Sequence, residues 1–297
     1  VAAAALIDSD DRVLLARRHP DSHQGGLWEF PGGKLEQGES VTDGLARELH
    51  EELGVEPLDC RPLIRVTHHY TERSVLLDVH LVETWRGEPT GLEGQPLEWV
   101  ARSALGDYPM PAADQPIVTA LQLPAVYLIT PPQVDRPMVF LDALEASLQQ
   151  GARLVQLRLF DLTEPMLLEL GRAACDLCHS QQARLLLNGD SEIAAAIGAD
   201  GVHLSGRALQ AAQTRPVAAD LLLAASCHSP ADLAKATRLG ADFALLSPVL
   251  ATRSHPDADP LGWDKFDSWV AAAKLPVYAL GGMRPELLAT AWLRGAQ

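Results

Sequence analysis

The chain has 297 residues, of which 47% are hydrophobic and 21% charged, with a formal net charge of −15. That length suits two domains of ordinary size, each with its own core, and the composition is that of a soluble globular protein. The acidic balance argues against duplex nucleic acid or anionic membrane as a partner, and no apolar run reaches the ~18 residues of a membrane span, so a cytoplasmic location is expected.

The charge is unevenly divided. Residues 1–123 carry 10 basic and 21 acidic side chains, and residues 124–297 carry 14 and 18. A polyphosphate substrate meeting such a surface must arrive with metal ions. The opening VAAAALIDSDDRVLLARR has an apolar run without a basic region before it, which reads as a first strand rather than a signal peptide. The missing initiator methionine points to a few trimmed residues.

Short strands follow (AAAALID, RVLLARR, RVTHHYTERSVLLDVHLVETW, LEWV), grouped around one helix in an α+β arrangement. Ser40 with Asp43 three residues on reads as the helix start, the serine oxygen capping a free N–H. Val41, Leu45, Leu49 and Leu53 recur every four residues as a buried stripe. At ~100° per residue, Glu48, Glu51 and Glu52 share an arc of roughly 100° beside that stripe. Three such carboxylates repel one another, and a hard divalent cation removes the penalty while bringing phosphates with it. Gly54 suits the left-handed residue that ends the helix.

The spacing Gly33, five residues, Glu39, seven residues, Arg47-Glu48-Leu49-x-Glu51-Glu52-x-Gly54-Val55 fills every specified position of the Nudix box. Trp28-Glu29-Phe30-Pro31-Gly32-Gly33-Lys34 before it, and Gly87-Glu88-Pro89 with Glu93-Gly94-Gln95-Pro96 after it, extend the resemblance to MutT-type Nudix hydrolases over essentially residues 1–122. The resemblance implies a metal-dependent pyrophosphohydrolase that cuts 8-oxo-dGTP to 8-oxo-dGMP and pyrophosphate. It implies Glu48, Glu51 and Glu52 as ligands of two or three Mg²⁺, with Mn²⁺ able to substitute. Glu93 is then a further ligand or the base that orients the attacking water. Arg47 pairs with a box glutamate and holds it in place. Arg17 and Lys34 are candidates for phosphate contacts, and Phe30, Tyr70 and Arg73 for nucleotide contacts. Asp114 stands where the subfamily reads the guanine edge with asparagine. An ionised aspartate only accepts hydrogen bonds, so Asp114 either reads the base when burial keeps it protonated, marks a changed base preference, or serves as a helix N-cap.

The domain boundary is expected near Leu123-Pro124, giving domains 1–123 and 124–297. Beyond it, continuous apolar strands (AVYLIT, LVQLRL, ARLLLN, GVHL, LLLAAS, FALLS, VYALGG) alternate with amphipathic helices, as in a parallel sheet buried on both faces. Seven such units point to an α/β (β/α)₈ TIM barrel. Gly151-Ala-Arg, Gly198-Ala-Asp and Gly240-Ala-Asp repeat one signature, a left-handed helix end just before a strand. Gly295-Ala-Gln297 repeats it again, which leads us to expect that an eighth strand is missing from this chain and that the barrel is C-terminally incomplete. Cys175-x-x-Cys178-His179 has the spacing of covalent haem attachment, but it lies in an amphipathic helix and reads as buried core thiols.

Tyr127-Leu-Ile-Thr130, Val155-Gln-Leu-Arg158, Leu187-Asn188, Gly198 to Leu204, Ser247-Pro248 and Ala279-Leu-Gly-Gly282 resemble thiamine phosphate synthase and its relative, the thiazole tautomerase. The synthase likeness implies that Gln156 contacts a pyrimidine and Arg158 a pyrophosphate, with Asn188 in the same site and the amides of Gly281 and Gly282 on a phosphate. Departures weigh against synthase activity. Gly189 and Ala208 stand where the synthase has acidic residues, and His255 replaces a lysine, so the charge stabiliser of pyrophosphate displacement is lost. His228 falls where the tautomerase carries its catalytic histidine; His203 reads as packing and hydrogen bonding. The alternative to nucleotide sanitation is hydrolysis of a thiamine-pathway diphosphate, with a tautomerase-like or ligand-sensing barrel.

Overall fold

Along Ala2–Leu6 (β1) every side chain is buried, and alternate residues face opposite cores. Ala2, Ala4 and Leu6 meet Leu45, Leu49 and Leu53 of the helix Val41–Leu53 (α1), while Ala3, Ala5 and Ile7 join Ile117, Val118 and Leu121. The period of two in a strand explains the split, and small alanines let a helix approach closely on one side. The computed structural model describes residues 1–70, 74–252 and 259–297. Contacts divide the chain into two units. The first comprises Val1–Gln122, Trp263–Pro276 and Met283–Gln297, and the second Leu123–Gly262 with Val277–Gly282.

In the first unit the strands after β1 are Arg12–Arg17 (β2), Trp28–Glu29 (β3), Gly32–Gly33 (β4), Glu56–His69 (β5), Ser74–Arg86 (β6) and Leu97–Ala101 (β7). One sheet has the order β4-β1-β6-β5 and the other β3-β2-β7. β1 runs parallel to β6, from Ala2 opposite Asp78 to Leu6 opposite Val82. β5 lies at a sheet edge and slips register at Pro57/Asp59, Asp59/Cys60 and Pro62/Ile64, where proline is tolerated. The α1 ends are those expected: Ser40 Oγ accepts from the Asp43 N–H at 3.1 Å, and Gly54 is left-handed at φ 70°. A second helix, Gln115–Gln122 (α2), covers the other core.

The second unit's strands are Leu128–Ile129 (β8), Leu154–Leu157 (β9), Arg184–Leu187 (β10), Gly201–Leu204 (β11), Leu222–Cys227 (β12), Phe243–Leu246 (β13) and Val277–Ala279 (β14). They form one parallel sheet in sequence order. These are the seven apolar runs read from the sequence. Their connections include Pro137–Gln149 (α3), Glu164–Ser180 (α4), Ser191–Ile197 (α5), Gly206–Ala211 (α6) and Pro230–Arg238 (α7). The repeated Gly-Ala glycines stand at φ 100°, 75° and 72°, each shortly before a strand. Leu154, Leu186, Ala224, Phe243 and Tyr278 form one core cluster, against which Tyr127 and Ile129 pack. Cys175 and Cys178 are buried on α4, and burial pushes both thiols up to about 12, so they are inert core groups rather than a haem attachment.

Gly262–Val270 (α8) precedes β14, and Leu288–Leu293 (α9) follows it. Within the first unit α9 packs on β5, and the Arg61 guanidinium lies 4.2 Å from the Trp292 ring centroid. Among the described residues no helix is long and apolar enough to cross a membrane.

Candidate active site

β4 and α1 bring the box carboxylates together. Gly33 abuts Glu48 so closely that an added Cβ would stand 2.2 Å from its carboxyl carbon. The Gly32 N–H donates to Glu52 Oε2 at 3.1 Å. Arg47 is the hub of the group. Its Nε and Nη2 donate to the two oxygens of Glu39, each at 3.0 Å, in a fork that suits a carboxylate. Its Nη1 donates to Glu48 at 3.0 Å and to Glu51 at 3.2 Å, and Nη2 also reaches the Lys34 carbonyl at 3.0 Å. Its hydrogen bonds to Glu39 and Glu48 hold its proton more tightly than usual. The expected pairing of Arg47 with a box glutamate is thus present three times over.

Glu52 faces a cavity of about 480 Å³, whose walls include Arg17, Arg18, Glu29, Glu93 and Gln95. Burial, then the charges of Glu48, Glu93 and Glu29, push its carboxyl up to about 7, against the lowering effect of the Gly32 N–H. Among the described residues no three His, Cys, Asp or Glu side chains form a ready-made metal cage. The donor set nevertheless fits a hard divalent cation: mutually repelling oxygens in a half-buried cleft, one of them proton-hungry near neutrality, are what such an ion relieves.

The other candidates are placed as follows. Arg17 Nε donates to the Gly26 carbonyl at 3.1 Å, and its guanidinium lies 5.9 Å from the Trp28 ring centroid. Lys34 is exposed. Phe30 is only 4% exposed and belongs to the core. Tyr70 packs against His68 at 4.5 Å and His23 at 5.9 Å between ring centroids. Arg73 and His255 lie outside the described residues. Asp114 is 6% exposed, and burial followed by the charge of Glu29 pushes it up to about 7, with Arg18 pulling the other way. The N-cap reading of Asp114 is corrected. It ends a 3-10 turn, Ala112–Asp114, that runs straight into α2, and the extended N-cap backbone belongs to Pro111.

The sequence reading missed Arg18, Glu29 and Gln95 as cleft residues. Arg18 pairs with Glu29, and burial raises the Glu29 carboxyl. A carboxylate set between Trp28 and Phe30 was the available signal for Glu29, and the Glu93-Gly94-Gln95-Pro96 match was the one for Gln95.

In the second unit, Asn188 Nδ2 donates to Gln156 Oε1 at 3.1 Å, so two candidates meet at the ends of β9 and β10. His203 is 1% exposed, with Nε2 2.8 Å from Ser226 Oγ and Nδ1 3.4 Å from the Tyr127 hydroxyl. Burial, aided by Arg158, lowers it to about 3, so it is a neutral packing residue. The Arg158 N–H donates to Thr130 Oγ1 at 2.9 Å, and its guanidinium lies 4.9 Å from the Phe160 ring centroid. His228 Nδ1 lies 2.8 Å from the Ser247 carbonyl, which accepts a hydrogen bond from Nδ1–H and leaves Nε2 as the basic nitrogen. Gly281 and Gly282 both have left-handed φ, 94° and 69°.

Residues 126–297 match the family model described as thiamine monophosphate synthase, and residues 2–120 match the NUDIX domain. The chain belongs to the thiamine monophosphate synthase family and carries a Nudix hydrolase domain ahead of it. The 8-oxo-dGTP diphosphatase of Escherichia coli (strain K12) is 34% identical over 122 residues, covering 41% of this chain and 95% of that protein. The CTP pyrophosphohydrolase of the same organism is 38% identical over 117 residues, or 39% of this chain and 87% of its own length. A provisionally named thiamine-phosphate synthase 2 of Aquifex aeolicus (strain VF5) is 36% identical over 179 residues, 59% of this chain and 94% of that protein. The Nudix half is therefore that of a diphosphate-hydrolysing enzyme.

Proposed function

We propose that the Nudix domain hydrolyses 8-oxo-dGTP to 8-oxo-dGMP and pyrophosphate with Mg²⁺, which Mn²⁺ can replace. The observation that carries this reading is the gathering of Glu29, Glu52 and Glu93 around one cleft, in a domain 34% identical to the Escherichia coli 8-oxo-dGTP diphosphatase over 95% of that protein. Glu48, Glu51, Glu52 and Glu93 would hold the metal. A divalent ion there supplies charge for the phosphates and acidifies a water. Arg47 keeps Glu48 and Glu51 oriented, Arg17 and Lys34 contact phosphates and Tyr70 the nucleoside; for Arg73 a nucleoside contact is proposed from its place in the sequence alone.

The test is mass-spectrometric product analysis with Mg²⁺, offering 8-oxo-dGTP, dGTP and hydroxymethylpyrimidine diphosphate to the native protein and Glu52→Gln. Preferred release of 8-oxo-dGMP and pyrophosphate, abolished by Glu52→Gln, supports the reading. Better turnover of the pyrimidine diphosphate replaces it with a thiamine-pathway role. Asp114 favours keeping that second reading in view, because its buried carboxyl stands in place of the base-reading asparagine.

For the second unit we propose a phosphate-binding barrel without synthase activity. Gly189 and Ala208 supply no acidic oxygen where pyrophosphate displacement needs metal ligands. Gln156, Arg158 and Asn188 line its ligand site, Gly281 and Gly282 receive a phosphate, and His228 transfers protons through Nε2 if a tautomerase-type substrate is turned over.

A further inference from the structure

α1 ends with carbonyls that have no partner within the helix, as every helix must. Here a single loop takes up the last two. The Thr90 N–H donates to the Leu53 carbonyl at 3.0 Å and the Leu92 N–H to the Glu52 carbonyl at 2.9 Å. Gln95 adds a side chain to this attachment. Its Nε2 donates to the Glu52 carbonyl at 3.0 Å, and its Oε1 accepts from the Glu93 N–H at 2.9 Å. One planar amide therefore clamps the backbone of two residues that are 41 positions apart in sequence. The Glu93 side chain is exposed and lines the same cavity as Glu52.

We infer that Gln95 is the positioning residue that sets Glu93 against Glu52, so that carboxylates from α1 and from the 90–95 loop can act on one divalent ion. The inference rests on the reading of Glu52 and Glu93 as metal ligands. An amide is suited to the task because it donates on one side and accepts on the other within a rigid plane. Outer partners of this kind orient ligands, and losing one typically costs about 10–100-fold in metal affinity.

The experiment uses the full chain and Mn²⁺ alone as probe, with free Mn²⁺ counted by electron paramagnetic resonance. Wild type, Gln95→Met, Glu93→Gln and the double variant are titrated, and the melting temperature of each is recorded. Gln95→Met has the same length without hydrogen bonds, and Thr90 and Leu92 keep its loop attached. Gln95→Ala is the second variant should the first fold poorly. The expected result is a 10–100-fold weaker Mn²⁺ affinity in Gln95→Met at a near-native melting temperature. The double variant is expected to bind no more weakly than Glu93→Gln alone, because Gln95 acts through Glu93. Affinity within twofold of wild type, or losses that multiply in the double variant, would overturn the inference while leaving Glu93 a ligand. Equal affinity in wild type and Glu93→Gln would remove its premise as well.

Discussion

Gly33 and Glu48 are in such close register that a methyl group on the first would overlap the carboxylate of the second, 2.2 Å from its carbon. The glycine lets a charged oxygen pair lie flat against a strand that is itself paired with Ala2. In Gly33→Ala the carboxylate must swing away, because the strand cannot retreat. Misplacement of a catalytic group by ~1 Å can cost roughly 100-fold. We expect a loss of that order in kcat/KM for diphosphate hydrolysis, with the circular dichroism spectrum unchanged. Native kcat/KM in Gly33→Ala would show that Glu48 is not needed where it stands.

Asp114 should give the first unit a pH-dependent stability of unusual sign. Its carboxyl ordinarily titrates near 3.8 and here near 7. Between those values the folded chain holds a proton that the unfolded chain has released, so stability falls as pH rises through this window. The contribution is about 1.4 kcal/mol for each pH unit separating the two pKa values. Asp114→Asn removes the window and should be more stable than the native protein at pH 8, with little difference at pH 4. All six tryptophans belong to the first unit, so urea unfolding followed by their fluorescence reports on it alone. The comparison is made with EDTA present. A native-like pH slope in Asp114→Asn would place the proton elsewhere.

The α1 stripe, its two caps and the seven parallel strands were legible because each is a local pattern: a period of four, a serine or glycine at an end, an unbroken apolar run. β5 was only half legible. Its first residues, Glu56–Cys60, carry Pro57, and Pro62 follows, so the strand reading began only at Arg65; pairing with β6 and the register slips beside those prolines override that signal. Gln95 stood in a recognised motif, but its task was illegible for another reason. Its partner is a main-chain carbonyl 43 residues away, and nothing in local spacing marks a side chain that serves a backbone group. Of the three alternatives left open for Asp114, only the cap is excluded, since a short 3-10 turn before α2 moves the cap to Pro111.

His203 makes the opposite prediction for the second unit. Its imidazole ordinarily titrates at 6.5, and burial lowers it to about 3. Below 6.5 the unfolded chain takes up a proton that the folded chain refuses, so stability present at neutral pH is lost as pH falls toward 3. His203→Asn, which keeps a hydrogen-bonding group near Ser226, should flatten this acid limb at some cost in neutral stability. Amide hydrogen exchange in β11 and β12, compared between pH 4.5 and 7, is the measurement. Equal pH dependence in the two proteins would mean that the ring is not the group being protonated.

Leu49 separates stability from chemistry in the Nudix half. Its side chain is fully buried among Ala2, Ala4, Leu45 and Leu53, one residue along α1 from Glu48. The alanines opposite cannot move in to fill a void, so Leu49→Ala should leave a cavity and cost about 2–5 kcal/mol. The carboxylates, however, are held from the polar side by Arg47 and by Gly32. Well below the melting temperature Leu49→Ala should therefore keep Mn²⁺ affinity within a few-fold of native, whereas Arg47→Lys, which loses the forked contact to Glu39, should weaken it about 10–100-fold with a smaller loss of stability. Tryptophan-monitored melting alongside Mn²⁺ titration distinguishes the two effects. Should Leu49→Ala weaken the metal as much as Arg47→Lys, the carboxylates would owe their placement to the apolar face of α1 rather than to the guanidinium.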